Sequence, residues 1–544
     1  MDILIKNGTV IDGTGAPGQK ADVLIKGDLI QEIGEDLTGE GCEIIDASGK
    51  IVSPGFIDMH HHADLSLVSV NKAEATIMQG CTTLVVGVCG LGLAPAKRIA
   101  KKYYNDFVSK TFGVPEMKIY GTMKEYFADI EKMGISTNMA FFAPQGNIRI
   151  DTLGLEDRPP NQKELKQMKD TLRQCMEDGA FGMSSGLIYP PGSITGTEEI
   201  IELCKVVKEY NGIYDSHMRN EATKVVSEGM AEIIRVARET GVQAHISHWK
   251  AGSSFAWKLT PLMIETVKNA REEGINIYVD MYPYEEGSSG LTAVLLRPWV
   301  YGRFQENLTN PDTRKKIIDE IFQMFKENFL SEVPGIIKII PDFLLKKLII
   351  MVAKKMVRII SVSKNHHIEG LKLGKALKVL YPKRKTLDAL LDFMRDEEGS
   401  IMISFKQMSE KKSIFDLISQ DFVCIGSDGF LVIDKNSHPR SYGAFPRVLG
   451  NYVREQKLFS LEEGIRKMTS LTAKILGIKD RGIIKDNYKA DIVVFDPDTI
   501  IDTSTYEKGT TYPIGVEYVI VNGEVTVKNG EHIGTLNGRI LKKE

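Results

Sequence analysis

The stretch Pro54-Gly55-Phe56-Ile57-Asp58-Met59-His60-His61-His62 carries a short apolar run directly into three histidines. The apolar residues are typical of a buried strand, on which successive side chains point to opposite faces. Asp58, His60 and His62 therefore share one face, and His61 points to the other. Two imidazoles on one face of a rigid strand can hold the same metal ion. Core histidines produce the same spacing, so a metal site needs further ligands to support it.

Four later strand-like runs each end in a residue that can bind a metal ion. They are Cys89 after residues 83–88, His217 after 212–216, His248 after 242–247 and Asp428 after 422–427. In a parallel (β/α)₈ barrel the active site is built from residues at the C-terminal ends of the strands. Imidazole, thiolate and carboxylate are ordinary zinc ligands, and a catalytic zinc site leaves one position open. Five such strand ends indicate a catalytic metal site.

Further motifs follow one another along the chain. They are Gly87–Pro95 (GVCGLGLAP), Gly182–Gly192 (GMSSGLIYPPG), His217–Glu221 (HMRNE), Ile246–Lys250 (ISHWK), Asp280–Tyr284 (DMYPY), Gly426–Gly429 (GSDG), His438–Arg440 (HPR), Phe445–Arg447 (FPR) and Lys467–Ser470 (KMTS). With the opening stretch, they resemble the amidohydrolase superfamily and, more narrowly, its D-aminoacylase (N-acyl-D-amino-acid deacylase) family. The resemblance covers nearly the whole chain and is weakest from about residue 300 to 375.

Cys89 is the detail that distinguishes the narrower family. Most binuclear amidohydrolases use a carboxylated lysine to bridge two metals, whereas D-aminoacylases use a cysteine thiolate, and Cys89 stands where their motif places it. A free cysteine is more often a small buried hydrophobe. That interpretation suits the remaining cysteines, Cys42, Cys81, Cys175, Cys204 and Cys424.

The resemblance implies a set of zinc ligands and a catalytic carboxylate. It assigns the tighter zinc ion to Cys89, His217 and His248. It assigns a second, weaker position, bridged by Cys89, to His60, His62 and Asp428. Asp428 is then the proton shuttle, which takes a proton from the attacking water and returns it to the departing amine, as general base catalysis requires. The alternative role for Asp428 is to cap a turn at Ser427-Asp428-Gly429.

The product of such a reaction is an amino acid, so the site must recognise a free carboxylate. The planar guanidinium of Arg440 can bind that carboxylate through two hydrogen bonds, and the Lys250 ammonium can bind it as a single positive charge. Both match family positions for carboxylate binding, as does Tyr189. Tyr282 is predicted to help polarise the scissile carbonyl, and Ser288 or, preferably, Ser289 to add a hydroxyl contact.

The arrangement of elements predicts an α/β protein with two parts. Residues 1–54 and 480–544 read as short strands, which we interpret as one small β-sandwich built from both termini, with a hairpin at Asn7-Gly8. Strands and helical segments, such as residues 161–178 and 197–210, alternate from 55 to 479. That alternation favours a (β/α)₈ TIM-like barrel, and the division also resembles the family.

A lid insertion is predicted at about residues 300–375. Within it, Pro341 to Ile360 has apolar residues at helical spacing with lysines among them. In the family an insertion here covers the barrel mouth, and we favour a lid helix with a solvated basic face. A basic amphipathic helix can instead contact a membrane surface or acyl chains.

Composition excludes several classes of protein. The 544 residues are 42% hydrophobic and 26% charged, with a formal net charge of −3. This balance is ordinary for a soluble globular protein and lacks the basic excess of most nucleic-acid binders. Neither a signal peptide nor an apolar run long enough to span a bilayer is apparent. We expect a cytoplasmic monomer or small homo-oligomer that acts on a small molecule, without disulfides.

The sequence therefore predicts zinc-dependent hydrolysis of N-acyl-D-amino acids to a D-amino acid and a carboxylate. The alternatives are an amidohydrolase acting on cyclic amides or dipeptides, similar to hydantoinases, dihydroorotases or isoaspartyl dipeptidases, and a non-catalytic structural homologue. The first conflicts with Cys89 and the second with the intact ligand set. One departure from the family is Gln145-Gly146, which stands where His-Gly is common. The histidines without a predicted role are His61, His245, His366, His367 and His532.

Overall fold

The computed structural model describes residues 2–104, 108, 117–332, 340–432 and 435–543. Its strands are β1 (Ile3–Val10), β2 (Gln19–Lys26), β3 (Leu29–Gly34), β4 (Glu43–Asp46), β5 (Ile51–Pro54), β6 (Phe56–Asp58), β7 (Cys81–Val86), β8 (Asn138–Phe141), β9 (Ala143–Pro144), β10 (Gly182–Gly186), β11 (Ile213–His217), β12 (Gln243–Ile246), β13 (Ile277–Met281), β14 (Glu286–Gly290), β15 (Arg358–Val362), β16 (Ile401–Lys406), β17 (Val423–Ile425), β18 (Ile492–Phe495), β19 (Val516–Val521), β20 (Glu524–Lys528) and β21 (Glu531–His532).

The α-helices of the described residues lie mainly between the central strands. They span Glu74–Ile77, Arg98–Tyr103, Met123–Met133, Gln145–Leu153, Gln162–Asp178, Thr197–Glu209, Ala231–Thr240, Thr260–Glu272, Leu291–Leu295, Phe304–Asn307, Pro311–Glu332, Asp342–Met356, Leu373–Leu380, Thr386–Asp396, Phe415–Ile418, Arg440–Arg447, Leu461–Met468 and Ser470–Leu476. Two of them confirm the helices predicted at 161–178 and 197–210. The first begins at a capping box, in which Asn161 accepts from the Glu164 N–H and Glu164 accepts from the Asn161 N–H.

The central strands form two parallel sheets, which confirms the α/β class. One sheet has the order β6-β7-β8 and the other β9-β10-β11-β12-β13-β17. All six residues of β7 are buried, as expected for parallel strands covered on both faces. Hydrogen bonds join the sheets at both ends, from Phe181 N–H to Phe141 O (2.8 Å) and from Met59 N–H to Ile425 O (3.2 Å). The C-terminal ends of the central strands therefore face a common region.

Strands from the two termini pair in a separate nine-stranded sheet. Its order is β21-β20-β19-β18-β5-β1-β2-β3, with β4 also paired to β1. The first and last parts of the chain meet where β5 runs antiparallel to β18. Apolar side chains from both termini, including Ile5, Val23 and Ile492, form a core of their own. Strands from both ends of the chain thus share one sheet.

The predicted hairpin at Asn7-Gly8 is wrong. Residues 3–10 form one continuous strand that pairs with β2, and the register shifts between Ile5 and Gly8. Asn7 takes a left-handed conformation with φ of 65°, and its N–H donates to the Asp22 carboxylate at 2.9 Å. The dipeptide that favours tight turns is here used as a bulge, because its positive φ suits both.

In the lid region the predicted helix is too long at its C-terminal end. The helix spans Asp342–Met356, and residues 358–362 continue as β15. The β-branched run from Ile359 pairs antiparallel with β16, which also pairs with β14. The region predicted as a lid thus contributes β15 to a three-stranded sheet, which we call the lid sheet, whose other strands, β14 and β16, lie outside the predicted 300–375 boundaries. Within the described ranges, no helix is both long and apolar enough to cross a membrane.

Candidate metal centre

The five strand ends singled out in the sequence converge on one site. His60 follows β6, Cys89 follows β7, His217 ends β11, His248 follows β12 and Asp428 follows β17. Four of these side chains are buried, and His217 is partly exposed. Residues that are distant in sequence therefore meet at the C-terminal ends of these strands.

Cys89 lies at the centre of what we call the thiolate cluster, formed with three imidazoles. Its Sγ lies 3.3 Å from His60 Nε2, 3.5 Å from His248 Nε2 and 3.7 Å from His217 Nδ1. Burial alone raises the pKa of the Cys89 thiol. The charge of His60 and hydrogen bonds from His217 and His248 outweigh burial and hold that pKa well below its usual range. Cys89 is therefore set to act as a thiolate, the form that binds metals.

Asp428 forms the adjoining carboxylate cluster with His60 and His62. Its Oδ1 lies 3.3 Å from His62 Nε2 and 3.7 Å from His60 Nε2. Burial raises the pKa of Asp428, but the Arg440 guanidinium, 2.7 Å from Oδ2, and the His62 side chain hold it well below its usual range. His60 belongs to both clusters, so the two clusters are adjacent and share this residue.

The spacing of the donor atoms fits zinc. In a tetrahedral site with Zn–S near 2.3 Å and Zn–N near 2.0–2.1 Å, sulfur and nitrogen ligands lie roughly 3.5 Å apart. The three distances from Cys89 Sγ, 3.3, 3.5 and 3.7 Å, lie around that value. Within each cluster the donors of His60, Cys89 and His248, or of His60, His62 and Asp428, lie within 4.8 Å of one another. Soft sulfur with imidazole nitrogen is a donor set that zinc accepts readily.

Three of the ligand positions have an unusual backbone. Cys89, His248 and Asp428 have φ of 56°, 34° and 51°, in the left-handed region that non-glycine residues rarely occupy. Such conformations cost free energy and tend to occur at functional sites, where the surrounding structure enforces them. They turn the chain sharply just after a strand, which brings each side chain back over the end of the sheet.

Of the predicted substrate-binding residues, four surround the clusters. The Tyr189 hydroxyl donates to the Cys89 carbonyl at 2.8 Å, and its ring centroid lies 5.3 Å from that of His217. The Tyr282 ring lies between two cations, 4.8 Å from the Arg440 guanidinium and 5.9 Å from Lys250 Nζ. A carboxylate near Tyr282 would therefore meet positive charge on both sides.

Ser289 lies apart from this group. It sits on β14 opposite Ile403 of β16 in the lid sheet, while the neighbouring Ser288 hydroxyl donates to the Ile403 carbonyl at 3.0 Å. Within the described residues, no hydrogen bond joins Ser289 to a side chain of either cluster. The structure does not bring this predicted contact to the site.

Two histidines without a predicted role are also buried. His61 is fully buried and neither of its ring nitrogens has a hydrogen-bond partner, whereas His245 Nδ1 lies 2.8 Å from Asp215. Gln145 Nε2 donates a hydrogen bond to Glu199 at 3.0 Å, and the Arg149 guanidinium pairs with the same carboxylate.

Glu221 is a site residue that the sequence did not identify as functional. Its Oε1 lies 3.1 Å from His248 Nδ1 and 3.6 Å from His217 Nε2, on the far side of each ring from Cys89. Lys250 Nζ lies 2.6 Å from the same oxygen and donates to the His248 carbonyl at 3.1 Å. Burial raises the pKa of Glu221, but Lys250 and the two imidazoles lower it far more.

This geometry makes Glu221 a positioning residue for two imidazoles at once. Carboxylates behind metal-binding histidines fix the ring orientation and raise the basicity of the ligand. The Lys250 ammonium on the same oxygen disfavours a second cation there, so Glu221 acts from outside the metal position. The signal available in the sequence was its place four residues after His217, within the quoted HMRNE motif.

We expect Glu221→Gln to weaken zinc binding by roughly 10–100-fold, the usual effect of losing such a carboxylate. The amide keeps the shape of the side chain and removes its charge. Competition with a chromogenic chelator measures the affinity without relying on catalysis. Glu232→Gln is the matched control, because Glu232 pairs with Arg219 at 2.9 Å. Equal zinc affinity in both variants would exclude the positioning role.

Comparison with known proteins gives a consistent result. Residues 43–168 and 407–527 match the model of the amidohydrolase family. The chain is 30% identical over 524 residues to N-acyl-D-glutamate deacylase of Alcaligenes xylosoxydans xylosoxydans, covering 96% of this chain and 93% of that protein. It is also 30% identical to the D-aminoacylase of the same organism, over 100% of this chain and 98% of that protein.

The solved structures include a similar protein with a ligand. The crystal structure of N-acyl-D-glutamate deacylase from Bordetella bronchiseptica, complexed with zinc and a phosphonate inhibitor that mimics the tetrahedral intermediate, superposes with a TM-score of 0.80. The two chains are 28% identical, and the match covers 100% of this chain and 99% of the other. The likeness therefore includes both the central and the terminal parts of the chain.

Proposed function

The chain belongs to the D-aminoacylase family of amidohydrolases, and on that premise we propose that it is a zinc-dependent N-acyl-D-amino-acid deacylase. The substrate is an N-acyl-D-amino acid, and the products are a D-amino acid and a carboxylic acid. The observation that carries the proposal is the Cys89 thiolate, held at zinc-ligand spacing from three imidazoles and next to the Asp428 carboxylate. Full-length relatives with deacylase activity in their names support the same reaction.

The proposed zinc ligands draw on both clusters, and His60, which belongs to both, is assigned to the second ion. Cys89, His217 and His248 would hold the tighter ion, and His60, His62 and Asp428 the weaker one. When bound, zinc acts as a Lewis acid on the carbonyl and lowers the pKa of water to about 7. The buried surroundings keep bulk water from weakening these electrostatic interactions.

Asp428 is the residue that moves the proton. Because its pKa lies well below the usual range, the carboxylate is ionised at neutral pH and can accept a proton from the attacking water. It then donates that proton to the departing nitrogen, so the amine leaves as a neutral group. The carboxylate is accessible for this role, since its side chain is 11% exposed while His60 beside it is fully buried.

Arg440 is proposed to bind the substrate carboxylate. The guanidinium is buried, and one nitrogen donates to Asp428 while Nε lacks a hydrogen-bond partner. A buried hydrogen-bond donor without a partner costs free energy. A substrate carboxylate bound against the Arg440 guanidinium would accept a hydrogen bond from this donor. Tyr282 lies under the guanidinium and Tyr189 lines the opposite side, beside His217. Lys250, held by Glu221, adds positive charge to the same region.

We expect Arg440→Ala to reduce kcat/KM by at least about tenfold on an N-acetyl-D-amino acid, since a hydrogen bond to a charged group contributes about 1.5–3 kcal/mol. The loss should nearly vanish for an analogue whose carboxylate is replaced by a neutral amide. The comparison of these two substrates in wild type and variant is the measurement.

The pH profile separates this role from an effect on Asp428. Removing the neighbouring positive charge raises the pKa of Asp428, so the acid limb of the profile would move to higher pH. An equal loss on both substrates together with such a movement would show that Arg440 serves Asp428 and not the substrate.

The rival functions lack support from the site. A hydrolase of cyclic amides needs a carboxylated lysine as the bridge, whereas the lysine at this site, Lys250, donates as an ammonium to Glu221. A non-catalytic homologue would be expected to lose ligands, yet all six proposed ligand residues are present, five of them in two clusters that share His60 and the sixth, His217, 3.7 Å from Cys89 Sγ.

A hydrolysis screen of paired N-acetyl-D- and N-acetyl-L-amino acids, with zinc analysis of the same sample, tests the proposal. We expect turnover of the D-series alone by zinc-containing protein, and loss of turnover after chelation. Hydrolysis of hydantoins or dihydroorotate in preference to linear N-acyl substrates would replace the proposed function.

We also propose a domain architecture, a cellular location and an oligomeric state for the protein. We propose that the central strands close into a (β/α)₈ barrel spanning 55–479, which the hydrogen bonds at both seams support. The separate apolar core of the termini supports a β-sandwich domain of 1–54 and 480–544, with a lid at about 300–375. We further propose a cytoplasmic monomer or small homo-oligomer.

A further inference from the structure

The lid region contains a cavity with an unusually apolar lining. The cavity measures about 160 Å³ and is enclosed by the helix Asp342–Met356, which we call the lid helix, and by the helices Pro311–Glu332, Leu373–Leu380 and Thr386–Asp396. Ile321, Ile349, Leu377 and Ile403 are representative of its walls. Protein interiors are normally packed without such voids. Apolar cavities of similar size stay dry and accept apolar guests.

Lysines surround the opening of this cavity. Lys346 and Lys354 of the lid helix line both the cavity and an adjoining surface groove, which Lys347, Lys355 and Lys385 also line. In the described part of the chain, no carboxylate forms an ion pair with any of these five ammonium groups. The acidic residue of the groove, Asp388, already lies 3.4 Å from Arg314. An apolar interior with a strongly cationic opening is complementary to an anionic amphiphile.

The cavity is separate from the candidate metal centre. The short helix Leu291–Leu295 presents Leu291, Val294 and Leu295 to the cavity. Its Ala293 lines a different pocket, which contains Pro190 next to Tyr189 of the active site. A chain inside the cavity would therefore lie behind this helix and would not contact the metal ligands.

We propose that the lid cavity binds a medium-chain fatty acid anion, with the end of the acyl chain inside and the carboxylate at the lysines. The assignment rests on the cavity and its charge and does not depend on the proposed deacylase activity. A carboxylate matches ammonium groups that have no carboxylate partner among the described residues, and a cavity of about 160 Å³ has room for the end of a single chain. If the enzyme accepts N-acyl substrates with such chains, the same anion is one of its products.

Titration of the zinc-loaded, full-length protein with sodium laurate, followed by calorimetry, tests the proposal. Butyrate has the same head group with a short chain, and dodecyltrimethylammonium has the same chain with the opposite charge. We expect saturable laurate binding in the micromolar range and at least about tenfold weaker binding of both control compounds. This series uses wild-type protein alone, so it does not depend on the folding of any variant.

Variants locate the site on the molecule. Ala353 lines the cavity, whereas the preceding residue of the lid helix, Val352, does not line it and is 41% exposed. Ala353→Trp fills the space and should weaken laurate binding by at least about tenfold, and Val352→Trp should leave it unchanged. Lys346→Gln combined with Lys354→Gln should reduce the preference for laurate over the cationic amphiphile. Exposed Lys378 and Lys383, changed in the same way, are the control pair.

The remaining outcomes separate this proposal from a membrane contact and from the proposed function. Absence of laurate binding below about 1 mM, or equal binding of the cationic amphiphile, would overturn it. Co-sedimentation with phosphatidylglycerol vesicles in the absence of laurate binding would identify the lysines and the exposed Phe343 and Met351 as a membrane contact instead. Failure of deacylation with intact laurate binding would refute only the proposed function.

Discussion

Cys89→Ala is expected to lose most of its zinc and to fall in activity by more than about a hundredfold, since loss of an outer partner alone costs 10–100-fold. Cys89 Sγ contacts three imidazoles, at 3.3, 3.5 and 3.7 Å. Without the thiolate, the tighter position keeps two imidazoles and one fewer negative charge. Two neutral ligands bind Zn²⁺ far more weakly than two imidazoles with a thiolate.

Zinc content by mass spectrometry of the purified variant is the primary measurement, and circular dichroism checks the fold. Cys424→Ala is the matched control, because Cys424 is equally buried and its Sγ approaches the Val279 carbonyl at 3.5 Å. We expect the control to keep its zinc. Full zinc and full activity in Cys89→Ala would remove the cysteine from the metal site and with it the main argument for this family of reactions.

The metal ligands could be predicted because strand position alone brings them together. Each of the five follows or ends a parallel strand, and the C-terminal ends of such strands meet whatever the connecting segments do. The prediction that His60 and His62 lie on the same side of the chain required only the alternation of side chains along a strand. The assignment of Cys89 as a ligand rather than a core residue came from the resemblance, and its contacts with the imidazoles now provide an independent reason.

Contacts between residues distant in sequence could not be predicted. Nothing in the sequence indicated that Lys250 would pair with Glu221, or that Arg440 would pair with Asp428, because both contacts depend on how separate loops fold over the strand ends. Predicted as a substrate ligand, Lys250 also acts through Glu221 on the orientation of His248. Ser289 lies on β14 opposite Ile403, and its predicted contact with substrate stays a prediction.

Two local sequence patterns led to wrong predictions, because each pattern is compatible with two kinds of secondary structure. Asn7-Gly8 provides positive φ, which a hairpin turn and a bulge require equally, and only pairing with β2 decides between them. In the lid, the apolar residues after Met356 continue a helical spacing by chance. Their β-branched side chains and pairing with β16 extend the chain as a strand instead.

Asp428→Asn is expected to retain zinc at the tighter position while kcat falls by roughly 10²–10⁴-fold, the usual contribution of general acid–base catalysis. The amide is nearly isosteric with the carboxylate but cannot accept the proton of the attacking water. Cys89, His217 and His248 are untouched by the change, so the tighter position keeps its ligands. Single-turnover kinetics with zinc analysis of the same preparation separates loss of catalysis from loss of metal.

Because Arg440 pairs with Asp428, the comparison of Asp428→Asn with Arg440→Ala is the best control for this prediction. If Asp428 serves only to hold Arg440, Asp428→Asn and Arg440→Ala should show similar losses, and both should depend on the substrate carboxylate. If Asp428 moves the proton, its loss is the larger one and persists on the neutral amide analogue, because water must still be deprotonated there. A fall in kcat of less than about tenfold on both substrates would place the shuttle on another group and leave Asp428 as a metal ligand alone.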